Sequence, residues 1–85
     1  MYEIELSKTA TKKLQRLPQN LARRIIEKLR IIAENPYGSH NNVKKLVGRT
    51  SYRLRVGDWR IIYEVEDKKL RILVLEIDTR GGIYQ

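Results

Sequence analysis

The apolar residues change period near the middle of the chain. From Ala10 to Ala33 they recur at helical spacing, and from Tyr52 onward they alternate one by one. A stripe of period 3.6 cannot serve as a strand, nor an alternating run as a helix. The chain therefore divides into a helical N-terminal part and a sheet-forming C-terminal part. Asn35-Pro36 marks the division, because the residue before a proline is pushed out of the α region.

Ahead of the helices, "MYEIEL" sets Tyr2, Ile4 and Leu6 against Glu3 and Glu5, the pattern of a half-buried strand. Ser7 is placed to cap a first helix carrying Ala10, Leu14 and Leu17, with Lys8, Lys12, Lys13 and Arg16 mostly outside. Pro18 interrupts it. A second helix is expected from about Gln19 to Glu34, with the stripe Leu21, Ile25, Leu29 and Ile32 widened by Ala22, Ile26 and Ala33. "YGSHNN" reads as a loop. A short strand is expected around Val43 to Val47, closed by Gly48. Three more follow in hairpin succession, at about Tyr52 to Val56, Trp59 to Glu66 and Leu70 to Thr79. The expected fold is α+β: two N-terminal helices on one face of a mostly antiparallel four-stranded sheet, βααβββ, with four strands after the helices if Val43 to Val47 pairs separately. At 85 residues it is read as a single domain spanning 1–85.

Composition excludes several chemistries. There is no cysteine and one histidine, His40, so neither a thiolate metal site nor a Ser-His triad is expected, and the metal and cofactor expectation is none. His40 itself, in the turn-rich loop, reads as a solvated loop residue. No apolar run reaches the length of a membrane span and no signal pattern opens the chain; a cytoplasmic protein with no membrane role is expected. The net charge of +8, from 18 basic and 10 acidic residues, points to an anionic partner.

The hairpin "SYRLRVGDWRIIYEVED" carries the sharpest signal. With Gly57-Asp58 as a two-residue turn, Val56 faces Trp59, Arg55 faces Arg60, Leu54 faces Ile61 and Arg53 faces Ile62. Opposed residues share a sheet face. Leu54, Val56, Trp59, Ile61 and Tyr63 then form the apolar face, while Arg53, Arg55 and Arg60 gather on the other, exposed together. Like charges directly opposite each other destabilise a sheet by about 0.2–1 kcal/mol per pair. This register offers the cluster no carboxylate, whereas Glu64 would face Arg71 if the next hairpin turned at Asp67-Lys68. Arginines gathered in this way suit phosphate, whose oxygens a guanidinium binds bidentately.

The segment "KKLVG....YRLRVGDWRIIYEVED....ILVLEIDTRGGIY" resembles the RelE/ParE superfamily of toxins from bacterial and archaeal toxin–antitoxin systems. The shared pattern is a lysine-leucine-glycine segment, Tyr-basic-x-basic, a turn, aromatic-Arg-x-x-Tyr, and a long apolar strand ending near an Arg and a Tyr. With the N-terminal strand and helical hairpin it covers nearly the whole chain. The RelE branch cleaves messenger RNA in the ribosomal A site with a basic sheet face and a C-terminal tyrosine. The resemblance implies a catalytic set of Arg53, Arg55, Arg60, Arg80 and Tyr84. Arg53 and Arg55 stand where the best-known member has lysine, which replaces titratable groups by permanent cations. Thr79 stands where many relatives have histidine, and Gly-Gly-Ile separates Arg80 from Tyr84. Lys44, Lys45 and Arg49, just ahead of the hairpin, are the further candidate RNA contacts. The implied partners are a cognate antitoxin, the ribosome and its message, with operator DNA bound through the antitoxin.

In this reading the 2′-OH attacks the adjacent phosphate, Arg53, Arg55 and Arg60 hold the phosphate and its developing charge, Tyr84 is the base and Arg80 the acid. An arginine is a poor proton donor, so the reaction would depend on the ribosome to position the RNA. In an unbulged register Arg80 shares the parity of Ile72 and Val74, on the helix side. It reaches the other face only if the strand has ended or a bulge intervenes. Other functions stay open: a ParE-like gyrase poison without nuclease activity, a catalytically inactive homologue, or a non-catalytic RNA-binding module. The last needs stacking platforms on the basic face, and the aromatic candidates there, Trp59 and Tyr63, are assigned to the core.

Overall fold

In a computed structural model, residues 1–79 are described. The order is β1 (Glu3–Leu6), α1 (Lys8–Arg16), α2 (Gln19–Glu34), β2 (Val43–Lys45), β3 (Tyr52–Val56), β4 (Trp59–Glu66), a 3₁₀ turn (Asp67–Lys69) and β5 (Arg71–Thr79). The fold class is the expected one, but the sheet has five strands, not four, in the order β1-β5-β4-β3-β2. The short Val43–Lys45 segment forms its own edge strand, antiparallel to β3. β1 lies parallel to β5, because the helical hairpin carries the chain away from β1 and β5 returns alongside it.

The helices begin and end for local reasons. Ser7 Oγ accepts from the Ala10 N–H at 3.0 Å, capping α1. Leu17, before Pro18, is extended (φ −78°, ψ 152°) and stops it. The inner faces of α1 and α2 bury Ala10, Ile25, Leu29, Ile32 and Ala33 against Leu54, Val56, Ile61, Tyr63, Ile72, Val74 and Ile77 of the sheet. Each fully buried aliphatic side chain contributes roughly 1.5–3 kcal/mol to this packing.

Two features of β5 depart from the sequence reading. The β4–β5 connection is the 3₁₀ turn with Leu70 in the left-handed region (φ 50°), not a two-residue turn. The register therefore shifts by two: Glu66 opposes Arg71, and Glu64 opposes Leu73 rather than Arg71. An even shift keeps every side chain on its face, so Ile72 and Val74 stay on the helix side. Further along, Ile62 pairs with Glu76 while Tyr63 pairs with Val74, leaving Leu75 as the extra residue of a β-bulge. Ser7 Oγ donates to the Leu75 carbonyl at 2.8 Å, so one hydroxyl both caps α1 and satisfies the bulge.

A carboxylate joins three distant segments. Asp67 accepts hydrogen bonds from the Tyr2 hydroxyl (2.7 Å) and the Tyr37 hydroxyl (2.8 Å). The bond from Tyr2, then that from Tyr37, holds the Asp67 carboxyl below its ordinary range, and the bond to Asp67 pushes Tyr37 up to about 12. His40 Nε2 donates to the Asn35 carbonyl at 2.7 Å, so its ring holds the loop after α2.

Candidate nucleic-acid interface

The β3–β4 register is the expected one: Arg53 opposes Ile62, Leu54 opposes Ile61, Arg55 opposes Arg60 and Val56 opposes Trp59. Gly57 takes φ +59° at the turn, a conformation that costs a glycine little. β2 adds Lys44 opposite Arg53. Lys44, Arg53, Arg55 and Arg60 thus share the face away from the helices, spread over three neighbouring strands.

They are not equally exposed. Arg55 is exposed, and its backbone N–H donates to the Asn42 carbonyl (2.9 Å) while its guanidinium donates to Asn42 Oδ1 (3.5 Å). Asn42 sits at φ 64°, a conformation that asparagine tolerates. Arg53 is half-buried. Arg60 is only 7 % exposed, and its Nη1 donates to the Trp59 carbonyl at 3.4 Å. The expectation of three arginines exposed together is therefore corrected: they share the face, but the exposed member is Arg55. The cause is position, since β4 is the central strand of five and its side chains are flanked on both sides. Ile62, on the same face, is 1 % exposed.

The bulge brings acid to this face. Beyond it the even positions of β5 turn away from the helices, so Glu76 opposes Ile62 and Asp78 opposes Arg60. The expectation that the register gives the cluster no carboxylate is corrected by this change of parity. Asp78 accepts from the Thr79 N–H (2.8 Å) and lies 3.8 Å from Lys13 Nζ, an ion pair reaching round the edge of β5 where β1 has ended. Asn42, Glu76, Asp78 and Lys13 were not singled out from the sequence. The Asn-Asn pair in a turn was a usable signal for the first. The bulge that turns Glu76 and Asp78 is invisible in the apolar run "ILVL".

The remaining candidates scatter. Lys45 opposes Tyr52 and so lies on the helix-side face, exposed at the edge. Arg49 is exposed in the β2–β3 loop, its N–H donating to the Leu46 carbonyl at 3.3 Å. Arg80 and Tyr84 lie outside the described residues.

The other end of the same face is balanced. Arg71 pairs with both Glu66 and Glu5 across neighbouring strands. The hydrogen bond from Arg71 holds the Glu66 carboxyl below its ordinary value. Glu64 accepts from Thr50 Oγ1 (3.2 Å) and Ser51 Oγ (3.4 Å). Aromatic platforms for bases are absent from the basic face among the described residues. Trp59 packs against the core, and Tyr63 is fully buried and stacked on Tyr52 at 5.5 Å. Burial first, and Tyr52 second, push the Tyr63 hydroxyl up to about 12. Neither a cluster of metal-ligating side chains nor a helix long and apolar enough to cross a membrane occurs among the described residues.

Comparison with known proteins bears directly on this arrangement. The family described as the ParE toxin of the type II toxin–antitoxin system parDE matches residues 4–84. The chain is 29 % identical to toxin RelE of Mycobacterium tuberculosis, covering 99 % of this chain and 87 % of that protein. It is 28 % identical to a putative toxin RelE1 of Methanocaldococcus jannaschii, covering 99 % and 96 %. Among solved structures, a chain of the archaeal RelE–RelB complex from Pyrococcus horikoshii superposes with a TM-score of 0.80 at 36 % identity, over 94 % of this chain and 96 % of that one. With a family match spanning almost its full length and relatives that carry the RelE name, the chain belongs to the RelE/ParE superfamily of type II toxin–antitoxin toxins and is RelE-like.

Proposed function

We propose that this toxin is a ribosome-dependent endoribonuclease that cuts messenger RNA in the A site, without a metal ion, and so inhibits translation in the cytoplasm. The observation that carries the reading is the opposition of Arg55 to Arg60, extended by Lys44 opposite Arg53. Such like-charge pairs weaken a sheet by about 0.2–1 kcal/mol each, a cost that a bound phosphate removes.

In this reading the 2′-oxygen forms a bond to the adjacent phosphorus and the bond to the 5′-oxygen breaks. Tyr84 takes the 2′ proton and Arg80 supplies one to the leaving oxygen. Arg53, Arg55 and Arg60 stabilise the charge that develops between those events. Lys44, with Lys45 and Arg49 at the edge and loop, guides the flanking RNA. Glu76 and Asp78 bound the anionic track on the β5 side. Arginines shuttle protons poorly, so the ribosome must supply alignment. An antitoxin is the expected protein partner, since the Pyrococcus relative was crystallised as a RelE–RelB complex. Operator DNA would be bound through that antitoxin.

Single-turnover cleavage on programmed ribosomes tests the reading. Wild type is expected to cut ribosome-bound message and to leave free RNA nearly intact. Tyr84→Phe should cut slowly with ribosome binding preserved, because a base acts in the transition state more than in the ground state. If Tyr84→Phe and Arg80→Ala both cut at the wild-type rate, the assigned acid and base are wrong. The ParE name of the matching family favours one second reading, a gyrase poison. It takes over if wild type leaves programmed ribosomes untouched and traps gyrase on DNA.

A further inference from the structure

Most of the net positive charge lies on the two helices, on the opposite side of the sheet from the arginine face. α1 and α2 together hold eight Lys or Arg against two Glu, so they account for six of the chain's eight net charges. Lys8, Lys12 and Arg16 are exposed and follow one another at i, i+4 along the outer side of α1. Arg23 and Arg30 stand exposed on α2. Among the described residues, Lys13 is the one helix cation in an ion pair.

The ladder on the outer side of α1 is costly, although Lys13 and Arg16 in its last turn suit the helix dipole and Glu27 and Glu34 stand i, i+4 from Arg23 and Arg30 on α2. Like charges at i, i+4 repel, and a cation in the first turn opposes the helix dipole. Lys8 stands in the first turn of α1, where no acid offsets it, and Glu34 stands in the last turn of α2. A solvated surface gains nothing from that arrangement, whereas a surface that meets an anion does.

The kind of anion follows from what the helices lack. Neither contains an aromatic residue, so they offer no platform for the bases of a single strand. Their apolar sides are committed to the core, and Ile31 is the one exposed large apolar residue on them. That removes the apolar face that membrane insertion needs, and the apolar groove that α2 forms with β1, lined by Tyr2, Ile4, Leu6, Ile26 and Ala33, contains none of the cations of α1. A ladder of cations without stacking or apolar contacts suits the phosphate backbone of a duplex, read by charge and shape. We infer that the outer face of α1 and α2 is a second nucleic-acid surface, one that grips the backbone of double-stranded RNA while the sheet face is occupied separately. The inference stands apart from the cleavage reading, since duplex affinity is measured without any bond being cut.

Fluorescence anisotropy with a labelled RNA duplex of about 16 base pairs, and with one of its strands alone, tests it across a salt series. Wild type should prefer the duplex, with affinity falling steeply as salt rises. Lys8→Ala/Lys12→Ala/Arg16→Ala should weaken duplex binding at least tenfold and flatten the logarithmic salt slope by about one per residue removed. Its melting temperature should hold or rise, since only exposed, mutually repelling charges are lost. Arg53→Ala/Arg55→Ala, which removes two cations from the sheet face, should weaken duplex binding much less than the ladder variant does. The inference is overturned if the ladder variant keeps wild-type affinity and slope, if the single strand binds better than the duplex, or if the sheet-face variant alone loses the duplex.

Discussion

The face of the sheet away from the helices holds arginine in two settings. At one end Arg71 is clasped by Glu66 and Glu5 from the strands on either side. At the other end Arg55 faces Arg60 and Lys44 faces Arg53, with carboxylates only along the β5 border. The bulge at Leu75 lies where one setting gives way to the other. Same sheet, same side-chain type, same face: at the balanced end the strands on both sides supply acid, whereas at the other end β5 supplies Asp78 opposite Arg60 while β3 and β2 supply further cations. A sheet that needed only to fold would be built like the balanced end. The excess of cation over acid at the like-charged end is what the proposed phosphate-binding role draws on.

The largest expected effect lies at the like-charged end. Arg60→Ala removes a buried charge that the proposed function assigns to the phosphate, and loss of one preorganised charge stabiliser should cut single-turnover cleavage on ribosomes by about 10²–10³-fold. A rate within threefold of wild type would remove Arg60 from the site.

Next comes the boundary itself. Ser7→Ala deletes the cap of α1 and the donor to the bulged carbonyl together, and should lower unfolding free energy by about 1–2 kcal/mol in urea titration. Because the bulge sets the parity of Glu76 and Asp78, cleavage per folded molecule should fall as well. Stability lost with cleavage unchanged would show that the boundary needs no bulge.

A smaller effect of opposite sign is expected beyond the balanced end. Leu70 occupies the left-handed region while 55 % exposed. Leu70→Gly relieves that conformation and should raise stability by about 1 kcal/mol with cleavage unaltered.

The smallest effect is in acid. Glu66 is held below its ordinary value near 4.5 by Arg71, so its contribution is fully present above that value and is lost as pH falls through the lowered one. Arg71→Gln should flatten this part of the acid limb in thermal melts, whereas Arg55→Gln should leave it as in wild type. Asp67, lowered by its two tyrosines, contributes to both curves equally.

Much of this was legible beforehand, for identifiable reasons. Pro18 and Asn35-Pro36 punctuate the helices, and Gly57-Asp58 admits one hairpin register, so the shared face of Arg53, Arg55 and Arg60 followed from alternation alone. The β4–β5 turn did not, because "DKKL" contains no glycine and the left-handed position falls to a leucine. Nor did the bulge: in "ILVLEI" apolar residues stand at both parities, so a slipped residue leaves no trace. The burial of Arg60 depends on β4 being central, and that is a property of strand order rather than of local pattern.

The most direct test sets the two ends against each other at equal net charge. Arg55→Gln and Arg71→Gln each remove one cation from the same face, and both proteins are compared for melting temperature and for cleavage of ribosome-bound message. Arg55→Gln should keep or raise the melting temperature and lose about a hundredfold in cleavage. Arg71→Gln should melt lower and cut like wild type once corrected for the folded fraction. Equal cleavage by the two variants, or a greater loss from Arg71→Gln, would contradict the assignment of the like-charged end as the site.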